Sequence, residues 1–223
     1  MSSVAVIDYG MGNLHSVAKA LEKVGEGVEV NVTSDARTIL SSDRVVLPGV
    51  GAMRDCMGEI KRLGLDKTIH EFIESGKPLF GVCVGMQVLL ESSAENNGVT
   101  CLGILPGKVE YFGDELRDMK SGDRLKIPHM GWNQVHQEIE HPMWDGIAQD
   151  ARFYFVHSYY AQPAHPDLIA ASTNYGFQFT SAVTKDNVFA VQFHPEKSQH
   201  AGLALYANFL KWNGKAITRN HPF

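Results

Sequence analysis

The sequence has few cysteines, no run of basic residues and no long apolar stretch, and each absence excludes a class of protein. Its three cysteines, Cys56, Cys83 and Cys101, lack the spacing of a disulfide framework and the CxxC pairs of a structural zinc site. Its net charge is −5, and no basic run is present to neutralise nucleic-acid phosphates. No segment matches a membrane span or a signal peptide. We therefore expect a cytoplasmic protein without nucleic-acid or membrane partners.

Sequence patterns for a bound metal or a dinucleotide are also missing. The ten histidines contain no i,i+4 pair, and the carboxylates form no cluster. The segment DYGMGN has Gly10 and Gly12 but not the third glycine of a GxGxxG fingerprint. The second predicted strand ends in Asn31 and Val32 rather than in an acidic residue. A tight turn between a strand and a helix explains DYGMGN better, and we expect neither a cofactor nor a metal.

The first half of the chain alternates short apolar runs with helical patterns. The runs predict strands at 4–7, 28–32, 44–47 and 77–82. The patterns predict helices at 13–24, 53–63 and 67–74, a short helix capped by Asp35, and a helix after Cys83. This order predicts an α/β fold with an open, mostly parallel sheet and helices on both faces. Ligands of such sheets bind beyond the carboxyl ends of the strands.

The second half contains mostly strands, which predict an antiparallel extension of the same sheet. These strands are expected at 103–112, 151–160, 168–173, 178–184 and 188–193, and a closing helix is expected at 202–212. Because no linker or repeat interrupts the chain, we expect a single domain over residues 1–223, with a loose tail after about residue 212.

The fourth apolar run ends at Cys83, which is flanked by glycines in the pattern G-x-C-x-G. This pattern between a strand and a helix is typical of a nucleophile elbow, a sharp turn that presents one side chain above the sheet edge. The helix N-terminus favours the thiolate, and the Val84 N–H points toward an oxyanion. A packed turn has the same local sequence. For Cys56 and Cys101 we expect only a role as small buried side chains.

The end of the last apolar strand, in VFAVQFHPEKS, predicts a base for this thiolate. Pro195 ends the strand. His194 and Glu196 are separated by this one residue, so both side chains can reach the same side. A carboxylate on one imidazole nitrogen leaves the other nitrogen facing the sulfur. Alone, HPE is better explained as a surface turn with an accidental ion pair. Together with the elbow it predicts a Cys83–His194–Glu196 triad.

The ordered set of motifs resembles a known family. G-x-C-x-G-x-Q followed far downstream by F-H-P-E resembles the class I (triad) glutamine amidotransferases. Six segments resemble, more narrowly, the glutaminase subunits of imidazole glycerol phosphate synthase, from about residue 4 to residue 212: DYGMGNL, LPGVG, GVCVGMQ, PHMGWN, YFVHSYY and QFHPEKS. LPGVG by itself is equally a turn or a source of backbone N–H groups for a substrate oxygen.

The resemblance implies a flavodoxin-like class I amidotransferase fold and a Cys-His-Glu triad that hydrolyses L-glutamine to glutamate and ammonia. Cys83 would be the nucleophile, His194 the general base and acid, and Glu196 the residue that orients His194. The residues that it implies for oxyanion and glutamine binding are Val50, Gly51, Val84, Gln87, Ser158 and Tyr159. From the sequence, His157 is either close to the substrate or a buried strand histidine.

The resemblance also implies a partner, a (β/α)8 cyclase subunit that forms a heterodimer with this chain. The cyclase would use the ammonia to form imidazole glycerol phosphate and an aminoimidazole carboxamide ribotide in histidine biosynthesis. The residues that it implies at the interface are Asn13, Trp132, Asn133, Tyr154 and Lys197. Without the resemblance, Trp132 is equally a core side chain and Lys197 a solvated charge.

Other functions remain open at this point. A paralogous glutaminase could supply ammonia to a different synthase, such as one that aminates a surface-sugar precursor. A cysteine hydrolase or protease could use the same elbow, although it has no need of Gln87 or PHMGWN. A binding protein with an inactive site is disfavoured by the complete triad, and a metal enzyme is disfavoured by the histidine spacing.

Overall fold

The computed structural model describes residues 2–215, and the rest of the predicted loose tail, residues 216–223, lies outside the described residues. The first residues of that tail are held against the body. The Trp212 indole N–H donates a hydrogen bond to the carbonyl oxygen of Lys215 at 2.9 Å. The described chain therefore continues its packing past the last helix.

The first ninety residues contain four strands and five helices. The strands are β1 (Ser3–Ile7), β2 (Glu29–Thr33), β3 (Arg44–Gly49) and β4 (Leu79–Cys83). The helices are α1 (Leu14–Val24), α2 (Ala36–Ser41), α3 (Met53–Arg62), α4 (Leu65–Glu74) and α5 (Val84–Gln87). These elements agree closely with the predicted order, and Asp35 caps α2 as expected, by accepting a hydrogen bond from the Thr38 N–H at 2.9 Å.

The remainder of the described chain is mostly strand. The strands are β5 (Ser92–Ser93), β6 (Val99–Thr100), β7 (Gly107–Tyr111), β8 (His129–Gln134), β9 (His136–Gln137), β10 (Arg152–His157), β11 (Tyr159–Pro163), β12 (Ile169–Tyr175), β13 (Phe177–Lys185) and β14 (Val188–Val191). Helix α6 (Gln199–Lys211) follows. One 3-10 turn, Pro195–Lys197, lies between β14 and α6.

One large sheet connects the two halves in the order β2-β1-β3-β4-β14-β13-β11-β7-β5-β6; in addition, β12 pairs with β13, and β9 pairs with β12. The five strands from β2 to β14 are parallel, and β13 begins the antiparallel part. Helix α1 packs on α6, while α2 and α3 pack on α4. The crossovers move in opposite directions from β1, so these two groups cover opposite faces. The predicted α/β fold with an antiparallel extension is confirmed.

The core lies on the parallel strands because their side chains are apolar on both faces. Val4, Ala5, Val6 and Ile7 of β1 are all fully buried. The adjacent β4 and β14 pair in register, with Val82 opposite Val191, so the chain segments that follow both strands emerge at the same sheet edge. This edge is where the sequence places its candidate residues.

The structure corrects the prediction of a single strand over residues 151–160. The chain breaks at Ser158, so that β10 pairs with β8 in a separate two-stranded sheet, whereas β11 pairs with β7 in the main sheet. Strand β8 was not predicted, because its PHMGWN segment contains a proline and a glycine and its partner strand is distant in sequence. Ser158 therefore joins two different sheets.

Candidate active site

The turn at Cys83 has the backbone geometry of an elbow. Cys83 ends β4 with φ 56° and ψ −115°, a region that residues with side chains rarely adopt. A Cβ on Gly85 would overlap the carbonyl oxygen of Leu47, and one on Gly81 would lie 2.9 Å from the Ala190 Cβ. Both flanking glycines are thus required by close contacts with neighbouring strands. The turn holds Cys83 at the sheet edge at the cost of local strain.

His194 and Glu196 form a buried pair beside this cysteine. The His194 Nδ1 lies 2.9 Å from the Glu196 Oε1, and the two side chains are 2% and 1% exposed. The His194 Nε2 is buried and has no hydrogen-bond partner within residues 2–215. Burial disfavours the imidazolium, but the Cys83 thiolate and the Glu196 carboxylate outweigh it and raise the pKa of His194 to about 10. The surrounding negative charge therefore favours the protonated imidazole of His194.

The backbone around His194 is fixed by the neighbouring strand. The His194 N–H donates to the Tyr154 carbonyl oxygen at 2.9 Å. The Tyr154 N–H donates to the Ser198 Oγ at 3.0 Å, and the Ser198 hydroxyl donates to the His194 carbonyl oxygen at 2.6 Å. These three bonds tie the turn after β14 to β10, so the imidazole has a defined position before any substrate binds.

A cavity of about 350 Å³ opens at this edge, and it collects the residues predicted for oxyanion and substrate binding. Beside Cys83 and His194, its lining includes Val50, Gly51, Val84, Gln87, Ser158 and Tyr159. Four further lining residues were not among the predicted site residues: Glu95, Pro128, Val156 and His157. Since this cavity contains the sulfur and the imidazole, we take it as the candidate active site.

Two glutamines connect the cavity wall to the elbow. The Gln87 amide nitrogen donates to the Tyr159 carbonyl oxygen at 3.0 Å and to the Gln192 Oε1 at 2.9 Å. The Gln192 Nε2 in turn lies 3.8 Å from the Cys83 sulfur. Gln192 was missed at the sequence level, although a polar residue inside the apolar run VFAVQF indicates a buried side chain that needs a partner.

The segment Pro48–Gly51 is held by hydrogen bonds from two side chains, those of Tyr9 and Cys56. The Tyr9 hydroxyl donates to the Pro48 carbonyl oxygen at 2.8 Å, and the Cys56 thiol donates to the Val50 carbonyl oxygen at 3.4 Å. Burial raises the pKa of Cys56 to about 11, so its thiol keeps the proton that this bond requires. Cys101 is also buried, and burial raises its pKa to about 11 as well.

Three of the residues predicted at the partner interface form one exposed cluster. Trp132 and Tyr154 face each other across β8 and β10 with ring centroids 6.2 Å apart, and the Lys197 ammonium lies 5.9 Å from the Tyr154 ring centre. Trp132 is 39% exposed, so the interpretation of Trp132 as a core side chain is wrong. Met130 is 61% exposed on the same face of β8. This face is suited to docking because two large apolar side chains, Met130 and Trp132, are exposed on it.

The other two predicted interface residues lie elsewhere. The Asn133 side chain points to the inner face of β8, where its Nδ2 donates to the Asn174 carbonyl oxygen at 2.9 Å. Strand alternation places this side chain opposite to Trp132, and the place of Asn133 at a partner interface stays a prediction. Asn13 precedes α1, which packs beside the Pro195–Lys197 turn.

Within residues 2–215, no group of three or more His, Cys, Asp and Glu side chains is arranged to hold a metal ion. The helices of the same range are all too short or too polar to cross a membrane.

Comparison with known proteins identifies the class to which this fold and site belong. The model of the glutamine amidotransferase class-I family matches residues 5–212. The chain belongs to this family. Solved structures agree on the fold: it resembles a glutamine amidotransferase crystal structure with a TM-score of 0.68 and 18% identity, covering 93% of this chain and 97% of the other. It resembles PurLQS of Thermotoga maritima with the same TM-score and identity, covering 94% and 98%.

Curated relatives are much more similar in sequence. The chain is 56% identical over 215 residues to imidazole glycerol phosphate synthase subunit HisH 1 of Pseudomonas aeruginosa, covering 96% of this chain and 99% of the relative. It is 58% identical over 214 residues to subunit HisH of the same synthase from Nitrosococcus oceani, covering 96% and 99%. The resemblance inferred from the six motifs is confirmed.

Proposed function

We propose that this protein is the glutaminase subunit of an imidazole glycerol phosphate synthase, and that it hydrolyses L-glutamine to glutamate and ammonia for histidine biosynthesis. The observation that carries the proposal is the buried Cys83–His194–Glu196 arrangement at the cavity, in a chain 56% identical to a HisH subunit. The three free cysteines fit the reducing conditions of the cytoplasm, where we place the reaction.

The chemistry follows from the geometry at the sheet edge. The Cys83 thiolate attacks the side-chain amide carbon of glutamine and forms a tetrahedral intermediate. The His194 imidazolium protonates the leaving nitrogen, which departs as ammonia and leaves a thioester. The neutral imidazole then takes a proton from water, which hydrolyses the thioester to glutamate. Glu196 accepts from the His194 Nδ1, so it fixes the ring and stabilises its charged form.

Backbone N–H groups hold the negative oxygen of the intermediate. Val84 directly follows the nucleophile, and its N–H points to the oxyanion position. The second donor comes from Val50 or Gly51, which line the cavity on the opposite side. Because Tyr9 and Cys56 bind the Pro48 and Val50 carbonyl groups, the Gly49–Val50 peptide lies between two held peptides. We expect this peptide to reorient when the partner binds its ligand.

Polar groups around the cavity match the two ends of glutamine. Both hydrogen bonds of Gln87 use its amide nitrogen, so its amide oxygen is the atom that a substrate donor meets. Ser158 and Tyr159 border the same space. The Glu95 carboxylate also lines it and accepts from the Met53 N–H at 3.1 Å. A fixed carboxylate at this position suits the α-ammonium group of an amino acid.

The partner is a (β/α)8 cyclase subunit, and it docks on the exposed face around Trp132, Tyr154 and Lys197. The subunit names of the relatives imply a multi-subunit synthase. The Tyr154 carbonyl oxygen accepts from the His194 backbone N–H, so a backbone hydrogen bond links the docking face to the triad. Ammonia released beside His194 would pass to the cyclase rather than to water.

The decisive experiment measures glutamate release from glutamine by this protein alone and with a histidine-pathway cyclase subunit plus its ribotide ligand. We expect strong stimulation by the pair. The matched control is Cys83→Ser, which should lower glutamine hydrolysis at least about a thousandfold while ammonia-dependent synthesis by the assembled pair continues. If the Cys83→Ser variant still hydrolysed glutamine, Cys83 would not be the nucleophile. If the cyclase did not stimulate glutamine hydrolysis but Cys83 still reacted with a glutamine analogue, the protein would be a glutaminase that serves a different synthase.

A further inference from the structure

Two buried histidines lie between the two-stranded sheet of β8 and β10 and the cavity, and the triad mechanism uses neither of them. His129 on β8 and His157 on β10 face each other in the antiparallel register and are 3% and 6% exposed. The His129 Nδ1 lies 2.9 Å from the His157 Nε2. His157 is also part of the cavity lining, so the pair reaches from the inner face of the small sheet to the substrate site.

The partners at each end fix the proton positions. The His157 Nδ1 lies 2.8 Å from the Tyr159 carbonyl oxygen, which can only accept, so the Nδ1 carries a proton. Burial lowers the pKa of His157 to about 3, so the ring is neutral and its Nε2 accepts from His129. Burial also lowers the pKa of His129 to about 4, and its Nε2, 3.2 Å from the donor Nδ2 of Asn133, accepts in turn.

All donors in this chain point the same way, from Asn133 through His129 and His157 to the Tyr159 carbonyl oxygen. The same oxygen accepts a second bond, from the Gln87 amide nitrogen at 3.0 Å. Two buried donors therefore define the orientation of the peptide that follows Ser158. This peptide belongs to the segment where the chain passes from one sheet to the other and borders the cavity.

We propose that His129 and His157 are positioning residues, which hold the Ser158–Tyr159 segment and Gln87 in the geometry that binds glutamine. The inference rests on the proposed glutaminase function and extends it to two residues outside the triad. The alternative explanation for the burial of His129 is packing alone. Its ring stacks on those of Tyr175 and Phe155, with centroid distances of 4.0 Å and 4.8 Å. The two explanations predict different results for a phenylalanine at position 129.

The first test compares His157→Asn with His157→Gln in the assembled glutaminase–cyclase complex. An asparagine amide nitrogen lies near the position of the imidazole Nδ1 and can still donate to Tyr159, whereas a glutamine amide reaches the Nε2 position instead. We expect the KM for glutamine to stay within about threefold in His157→Asn and to rise at least about tenfold in His157→Gln, because the latter leaves a buried carbonyl with one donor fewer. The alkylation rate of Cys83 by iodoacetamide should change little in either variant.

The second test uses His129→Phe, which keeps the stacked ring and removes the donor to His157. A rise in KM similar to that of His157→Gln supports positioning, and an unchanged KM shows that His129 only packs. Nitrogen NMR of the histidine rings provides a readout without turnover: both rings should show a protonated Nδ1 and an unprotonated Nε2 from pH 5.5 to 8.5.

The outcomes separate the inference from the function on which it rests. An active wild-type complex in which His157→Asn and His157→Gln have equal KM values, or rings protonated at Nε2, would overturn the positioning role alone. A wild-type complex that releases no glutamate from glutamine would overturn the proposed function and the positioning role together.

Discussion

The chain before and after residue 90 buries polar side chains to very different extents. Within residues 2–90 the buried polar residues are Ser42, Thr68 and Gln87. Within residues 91–215 there are fourteen, among them His129, His157, Gln192 and His194. The parallel half is therefore an apolar scaffold, while the second half contains a buried hydrogen-bond network whose members each require a partner.

The two regions also position the proposed catalytic groups by different means. In the parallel half, backbone contacts place the nucleophile: Cys83 adopts a positive φ, and Gly85 packs against the Leu47 carbonyl group. In the second half, side-chain hydrogen bonds place the base, since the carboxylate of Glu196 holds the imidazole of His194. Steric contacts tolerate almost no change, whereas a hydrogen-bonded group can lose one partner and retain part of its function.

The largest effect should come from removing His194, the proposed base. We expect His194→Ala to lower kcat/KM for glutamine by about a thousandfold or more, and Glu196→Gln to lower it by about ten- to a hundredfold, because orientation supports catalysis without performing it. Glutamate release in the presence of the cyclase measures kcat/KM for both variants, and ammonia-dependent synthesis by the assembled complex is the control for folding. Equal losses would mean that His194 and Glu196 act as one inseparable unit, and the contrast between the two regions would weaken.

A test of the parallel half compares two glycine-to-alanine changes. Gly85→Ala should lower the free energy of unfolding by about 3 kcal/mol or more, because its Cβ would overlap the Leu47 carbonyl oxygen. Gly58→Ala is the matched control, since its Cβ meets no atom within 4 Å on α3 and alanine favours a helix by about 0.5–1 kcal/mol. Urea unfolding measures both. Similar stabilities of the two variants would show that the elbow can relax.

The smallest expected effect is the pH dependence carried by buried histidines of the second half. Burial lowers the pKa of His141 to about 4, below its usual value of about 6.5, so the unfolded chain binds more protons and stability falls as pH drops below about 6.5. His129 and His157 act in the same direction. His194 acts in the opposite direction: its pKa is raised to about 10, so its contribution to stability is fully present below about pH 6.5 and is lost as the pH rises toward 10.

His141→Asn isolates one of these histidines. Its Nδ1 accepts from the Met143 N–H at 3.1 Å, and an asparagine oxygen can accept the same bond without titrating. We expect the loss of stability between pH 7 and pH 5, measured by urea unfolding at each pH, to be smaller in His141→Asn by about 2 kcal/mol. If wild type and variant lost the same amount, His141 would not be neutral and buried in the way its surroundings imply.

The same difference explains what the sequence could predict. The apolar runs, the Asp35 cap and the glycines around Cys83 are local patterns, so the order of the parallel half and the elbow follow from them. The pairing of His194 with Glu196 was predictable because only one residue separates them in the sequence. These inferences depend on neighbours within a few residues and on the rule that parallel strands end at one edge.

The parts that escaped prediction depend on pairing between distant segments. The direction of the Asn133 side chain and the contact of His129 with His157 follow from the register of β8 against β10. Glu95 reaches the cavity from a 3-10 turn, Glu95–Asn97, that no sequence pattern predicted. In these places a one-residue change of register would reverse every inward and outward side chain, and the sequence alone does not set that register.

The break at Ser158 has a consequence for how freely the chain length can vary. From Tyr154, which faces Trp132, to Ser158 at the cavity is a path of four residues, roughly 13 Å of extended backbone at about 3.3 Å per residue. Most connections between strands tolerate insertions because they lie in solvent. Here an added or deleted residue would turn the inner side chains of β10 outward or shift the cavity wall. The outward-facing side chains of β10 can therefore be exchanged in this chain, but the length of the strand cannot.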